Sequence, residues 1–148
     1  MEMTVSAAEG SLVIDLAVDT SAVVAVLLNE PGSDAVLERL CAAGQPAVAA
    51  PTRTEILLVA LAKLGDLGLE RARDFLEQQA ILTVGWDQEL ADAAALAYQR
   101  FGKGHHPSGL NFGDCFAYAL ADHLKVPLLF VGNDFSQTDL EPALGGEG

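Results

Sequence analysis

Four acidic residues are each embedded in apolar sequence beside a short β-prone run: Asp19 in VDTSA, Glu55 in PTRTEILLVA, Asp114 in NFGDCFAYALA and Asp134 in LLFVGNDF. Carboxylates that share a partly buried pocket repel one another and raise each other's pKa, so such a group is favourable when a cation neutralises it. Hard oxygen ligands of this kind suit Mg²⁺ or Mn²⁺ rather than zinc. An ion so held keeps several waters, binds substrate phosphate oxygens and can activate a water for in-line attack on phosphorus. The chemistry on offer is phosphodiester hydrolysis that needs no nucleophilic side chain. Each acid also has a purely structural reading. Asp19 can cap a helix starting at Thr20, Thr52-x-x-Glu55 fits a capping box, Asp114 suits the first turn after Asn111, and Asp134 can stabilise a turn. Convergence of all four on one place is what favours the chemical reading.

The elements that must position them follow from periodicity and punctuation. Residues 12–18 are apolar, β-branched and short enough for a buried strand. A short apolar helix follows over 20–28, and a second runs from Pro31 to about residue 43. Residues 47–50 form a buried strand, after which Pro51 opens a helix through residue 63 that Gly65 ends. Residues 69–79 are an amphipathic helix, 81–84 a strand and 87–100 a long Ala-rich helix. A loop rich in Gly and His spans 101–109. Asn111 then caps a helix to about residue 125, and Pro127 leads into a strand over 128–131. This alternation predicts an α/β fold with a central, mostly parallel sheet flanked by helices. Ligand sites in such sheets lie outside the carboxyl ends of the strands, and all four acids fall there. Residues 1–11 read as a flexible N-terminal extension, 12–140 as one domain and 141–148 (EPALGGEG) as a flexible tail.

A chain of 148 residues that is 51% hydrophobic is long and apolar enough to fold as a single domain without a disulfide or structural metal. Eight Lys+Arg against 21 Asp+Glu give a net charge of −13, which argues against holding nucleic acid by general electrostatic attraction. It leaves room for a nucleic-acid substrate engaged through bound metal, and for a basic partner. The two cysteines, Cys41 and Cys115, form no CxxC pair or disulfide framework. No secretory signal and no membrane-length apolar run is present. A cytoplasmic protein is expected.

VDTSA after a buried strand, a Glu in the third helix, GDCFAYALA on a late helix and a final GNDF occur here in one order and spacing. Together they resemble the PIN-domain ribonucleases, and more narrowly the VapC toxins of bacterial type II toxin–antitoxin systems, over roughly residues 12–140. The resemblance implies a PIN fold, an endoribonuclease that depends on Mg²⁺ or Mn²⁺, a homodimer, and a VapB-type antitoxin whose C-terminal segment blocks the site. It also implies that Asp19 and Asp114 are the principal metal ligands, that Glu55 and Asp134 complete the cluster, and that Thr20 and Ser21 support the first ligand. Many relatives read Thr-x-Asp-x-Asp-Phe after the last strand. Here Phe130-Val131-Gly132-Asn133-Asp134-Phe135 replaces the Thr and the first Asp. Asp134 is left to carry that corner, with Asn133 or Asp139 near enough in sequence to help.

The main basic cluster, Arg100 through His106, precedes the Asp114 helix and offers Arg100, Lys103, His105 and His106 as RNA contacts; its bland reading is a solvated loop. Arg53 either pairs with a surface acid or reaches a phosphate. Adjacent histidines seldom direct both rings at one ion, which argues against zinc. Cys115 reads as a small buried filler. Leu27, Leu28, Val36, Leu40, Leu57, Leu58 and Leu61 exceed what one face of a short helix needs, so this helical region is where a dimer contact or an antitoxin groove is expected. Two other readings compete: a PIN-like module that binds without catalysing, and a metal-dependent phosphatase with an aspartyl nucleophile. Asp15 and Asp19 are wrongly spaced for the latter, and Asp15 should point away along an alternating strand. No P-loop is present.

Overall fold

The computed structural model describes residues 4–7 and 10–145. Four short strands, Leu16–Val18 (β3), Pro46–Ala49 (β4), Leu82–Val84 (β5) and Leu128–Leu129 (β6), form a parallel sheet in the order β5-β4-β3-β6. Because side chains alternate across a strand, the sheet builds two cores. Leu16, Val18, Val48 and Leu129 face helices Thr20–Leu27 (α1), Ser33–Ala42 (α2) and Ala50–Gln78 (α3). Ala17, Ala47, Ala49, Val84 and Leu128 face Gln88–Phe101 (α4) and Phe112–Leu124 (α5). This is the α/β architecture expected from the sequence. Among the described residues no helix is long and apolar enough to cross a membrane.

The punctuation acts as its chemistry dictates. Gly65 sits at φ 73°, ψ −161° and breaks α3 into the two helices expected on either side of it. Lys125, at φ 59°, stops α5 in the left-handed conformation.

Three expectations need correction. The strand expected over 12–18 is divided: Gly10–Val13 (β2) pairs antiparallel with Thr4–Ala7 (β1), and only Leu16–Val18 enters the main sheet. The division falls at Asp15, whose carboxylate accepts from the backbone N–H groups of Gly44 (2.7 Å) and Gln45 (2.8 Å) and so ties this point to the turn before β4. The stretch 1–11 therefore carries a hairpin where a loose extension was expected; its residues 1–3 and 8–9 lie outside the described residues. Within the stretch expected as a flexible tail, residues 141–145 have defined backbone contacts. Glu141 O accepts from Leu128 N (3.0 Å) and Ala143 N donates to Leu128 O (2.9 Å), so the segment lines the β6 edge. Arg39 Nε donates to Ala143 O (3.3 Å) and Leu144 packs on the α1–α3 core. Residues 146–148 lie outside the described residues.

Candidate functional site

In the strand order, the chain leaves β3 toward β4 on one side and later returns to β6 on the other. The carboxyl ends of β3 and β6 therefore flank a switch point, where a crevice opens in sheets of this kind. Asp19 follows β3 and Asp134 follows β6, so sheet topology alone sets these two acids side by side.

Asp19 is 4% exposed. It is the N-cap of α1, and its Oδ2 accepts from Ser21 N (3.0 Å) and Ser21 Oγ (2.7 Å). Ser21 Oγ in turn accepts from Val131 N (3.0 Å), which fastens the end of β6 to the Asp19 turn. Burial raises the Asp19 carboxyl to about 6 against the Ser21 hydrogen bonds that lower it, and the charges of Glu55 and Asp134 push the same way as burial.

Asp114 is 8% exposed and occupies the third position of α5 in a complete capping box. Asp114 N donates to Asn111 Oδ1 (2.8 Å), while Asp114 Oδ2 accepts from Asn111 N (3.1 Å). Burial lifts it to about 7, opposed by the Asn111 bond and reinforced by the charges of Asp19, Asp134 and Glu55. The four acids thus act on one another electrostatically.

Glu55 reaches this edge from α3. The capping box expected of Thr52 and Glu55 does not form: the N-cap of α3 is Ala49, without a side-chain cap, and the buried Thr52 hydroxyl has no partner. Glu55 Oε1 instead accepts from Thr20 Oγ1 at 2.6 Å, across 35 residues of sequence. Gly113 makes this approach possible. A Cβ there would lie 2.6 and 2.8 Å from the two Glu55 carboxylate oxygens, so any larger residue would make the Glu55 carboxylate shift from its place beside the start of α5. Sequence reasoning did not single out Gly113; its signal is the Gly immediately before Asp114. Ser21 bonds to Asp19, the acid it was expected to support, whereas Thr20, expected beside the same acid, donates to Glu55.

Asp134 is exposed, in the turn after β6. Asp139 is committed elsewhere, accepting from Tyr118 Oη (2.5 Å) and pairing with Arg100 Nη1 (3.2 Å). It is therefore no spare ligand for Asp134. Gly132 has φ +103°, a left-handed conformation in which the Asp found in many relatives would be strained.

The expected RNA-contacting residues are not gathered. Arg53 Nη1 donates to Thr83 Oγ1 (3.3 Å) rather than to a surface acid. Arg100 is held by Asp139 and lies over the Phe101 ring at 4.6 Å. The rings of His105 and His106 pack against different aromatics, Tyr98 and Phe101, so they do not converge on an ion. Lys103 lines a cavity of about 550 Å³ together with Tyr98, Asn111 and Phe112. Cys115 is buried, its thiol raised by burial to about 11. Asp15 binds backbone N–H groups away from Asp19, which removes the paired-aspartate phosphatase reading. Of the leucines and valine expected to be in excess, Val36 and Leu40 are core, whereas Leu58 and Leu61 are exposed.

Among the described residues no three acidic, histidine or cysteine side chains close on a single ion. The donors that do stand at this edge are carboxylate oxygens, which suit hard ions such as Mg²⁺ or Mn²⁺ rather than zinc. Two buried carboxylates raised above their ordinary range, with two more acids adding to the same field, are a donor set that a divalent cation fits.

The PIN domain family model matches residues 16–141. A protein of Mycolicibacterium smegmatis named Ribonuclease VapC is 42% identical over 127 residues, covering 84% of this chain and 97% of that protein. The fold is similar to that of Mycobacterium tuberculosis VapC20, described as a sarcin-ricin loop cleaving toxin, with TM-score 0.71 at 12% identity over 85% of this chain and 96% of that one. It is also similar to a chain of a toxin–antitoxin complex from Klebsiella pneumoniae, with TM-score 0.65 at 17% identity over 84% and 93% of the two chains.

Proposed function

Because the chain belongs to the PIN-domain family, among the VapC ribonucleases, we propose that it is the toxin of a toxin–antitoxin system, an endoribonuclease that cleaves RNA phosphodiester bonds with Mg²⁺ or Mn²⁺ at the four-acid edge. The observation that carries this reading is the pair of buried carboxylates, Asp19 and Asp114, raised to about 6 and about 7 by burial and by the neighbouring acids. A fold that served only to cap helices has no use for that repulsion, whereas a cation relieves it.

In this reading Asp19 and Asp114 hold the ion, and Glu55 and Asp134 complete its negative surroundings. When bound, the ion supplies positive charge for the phosphate and lowers the pKa of a water for in-line attack. The side chains supply position. Ser21 fixes the Asp19 carboxylate through two hydrogen bonds, Thr20 fixes Glu55, and Asn111 fixes Asp114. The local concentration of positive charge then comes from the ion, which reconciles a chain of net charge −13 with an RNA substrate.

A VapB-type antitoxin and a second copy of the chain are the protein partners that fit this family. The exposed α3 leucines Leu61, Leu64 and Leu67 give them apolar surface to cover. The test is cleavage of a broad panel of structured and total RNA by antitoxin-free protein in Mn²⁺, Mg²⁺ or EDTA, beside folded Asp19→Asn and Asp114→Asn variants. Cleavage that needs metal and is lost in both variants supports the proposal. Cleavage that survives EDTA or either substitution overturns it.

A further inference from the structure

A second cavity, of about 610 Å³, lies between α3 and α5 and borders the acid cluster directly, because Glu55 and Gly113 are part of its wall. Apart from Thr54 the rest of that wall is apolar and includes Leu58, Val59, Phe112 and Phe116. Among its large apolar side chains the most exposed is Phe112, a phenylalanine in the first turn of α5, two residues before Asp114, and 78% exposed. Phe112 meets Phe116 edge to face at 4.9 Å, and Phe116 meets Trp86 in the same way at 5.7 Å, so the exposed ring stands on an ordered aromatic support. Phe112 also lines the neighbouring cavity that holds Lys103, the cation nearest this edge in that wall.

A void whose wall holds both a carboxylate of the acid cluster and aromatic rings offers partners for the phosphate and the base of one nucleotide. Its phosphate belongs at the acid end through the bound ion, and its base belongs on the ring. We propose that this cavity receives the unpaired base of a nucleotide flanking the cleaved phosphate, with Phe112 as its stacking surface. The inference rests on the ribonuclease reading above. Stacking on an aromatic face tolerates any base and requires a strand whose bases are free to splay out, so the substrate class is single-stranded or looped RNA. Lys103, on the far side of Phe112, is placed to meet the next phosphate along the strand. An apolar side chain of a protein partner is the competing occupant.

The experiment uses an oligoribonucleotide spanning a bond that the full-length protein cuts, intact or with one abasic nucleotide on either side of that bond. Phe112→Leu keeps apolar bulk and removes the ring, and Phe112→Trp keeps a stacking face. Phe112→Leu is expected to lower kcat/KM by about 5- to 140-fold, the range for one stacked base, chiefly through KM, while Phe112→Trp restores it. The abasic substrate should cost the wild type the same factor and cost Phe112→Leu little more, since both changes remove one contact. Independent losses that multiply, or no loss in Phe112→Leu while the wild type cuts RNA, overturn the base site and leave the ribonuclease reading standing. A change in self-association with cleavage intact also overturns it and assigns Phe112 to a protein interface. Should the wild type cut no RNA, the same strand carrying 2-aminopurine is titrated. Quenching that depends on Phe112 supports the base site on its own, and its absence overturns it.

Discussion

Replacing Asp114 by Asn separates a member of an ion site from a helix cap, because the two roles predict opposite signs. Burial, with the charges of Asp19, Asp134 and Glu55, raises Asp114 from 3.8 to about 7. In the unfolded chain the same carboxyl returns to its ordinary value. Between about pH 4 and pH 7 the native state therefore holds the proton more tightly, and its stability falls as pH rises through that window. A rise of that size corresponds to at most about 4 kcal/mol, which partial access of water and salt reduces to about 1–2 kcal/mol. Asn keeps an oxygen to accept from Asn111 N, so the capping geometry survives. Asp114→Asn in EDTA near pH 7.5 is expected to be more stable than the wild type by that amount. For a chain of this size the gain is roughly 2–8 °C in Tm, shrinking toward nothing near pH 4. Thermal unfolding followed by far-UV circular dichroism across this range reads it directly. Added Mn²⁺ should then stabilise the wild type more than the variant, since binding to the native state alone raises stability. If the variant is instead no more stable than the wild type in EDTA at pH 7.5, the buried charge costs the fold nothing and the repulsion argument fails.

Two further outcomes follow from contacts at and beside the site. Gly113→Ala puts a Cβ within 2.6 and 2.8 Å of the Glu55 oxygens; because these end a flexible side chain, Tm should hold while RNA cleavage in Mn²⁺ falls by about 10-fold or more, the usual cost of a lost supporting contact. Asp139→Asn weakens the link to Tyr118 and Arg100 and should cost about 1 kcal/mol at neutral pH in denaturant unfolding. The Tyr118 hydrogen bond and the Arg100 charge hold Asp139 below its ordinary range, so this contribution is present above about pH 4 and fades as pH falls through the native value; a difference that persists unchanged in acid contradicts it.

What could be read in advance was local. Asp19, Asn111 and Gly65 announce a cap, a cap and a break through their own chemistry, and the structure uses each that way. The four acids were legible because each stands where a strand ends or a helix begins, and a parallel sheet brings such points to one edge. What escaped reading depends on partners far along the chain. Gly113 matters only because Glu55, 58 residues earlier, needs the space. The segment EPALG has the composition of a fraying end, yet its backbone finds the open edge at Leu128. The Asp15 carboxylate, read as pointing away from the site, also explains where the first strand divides, but its partners Gly44 and Gln45 lie two helices further along the chain. Arg100 looked available for RNA until Asp139 was placed beside it.

Capping and ion binding, set against each other in the sequence, are compatible at the two buried aspartates because a carboxylate has two oxygens. At Asp19 both Ser21 contacts fall on Oδ2, and at Asp114 the Asn111 backbone bond also falls on Oδ2. In each the cap engages Oδ2 and makes no contact with Oδ1, the oxygen that the proposed ion would use. The helix N-terminus then has a use beyond its own stability, since its backbone N–H groups and dipole favour negative charge at that point. This keeps two acids ionisable in a pocket where burial and mutual repulsion drive them toward protonation. Removing the caps would release the carboxylates to rotate or take up protons, and removing the carboxylates would leave helices that any Ser or Asn can cap. In the proposed site an ordinary helix start would serve as a ligand once a second one is folded near it, and α1 and α5 each begin with a buried aspartate whose carboxyl is raised by burial and by the neighbouring acids.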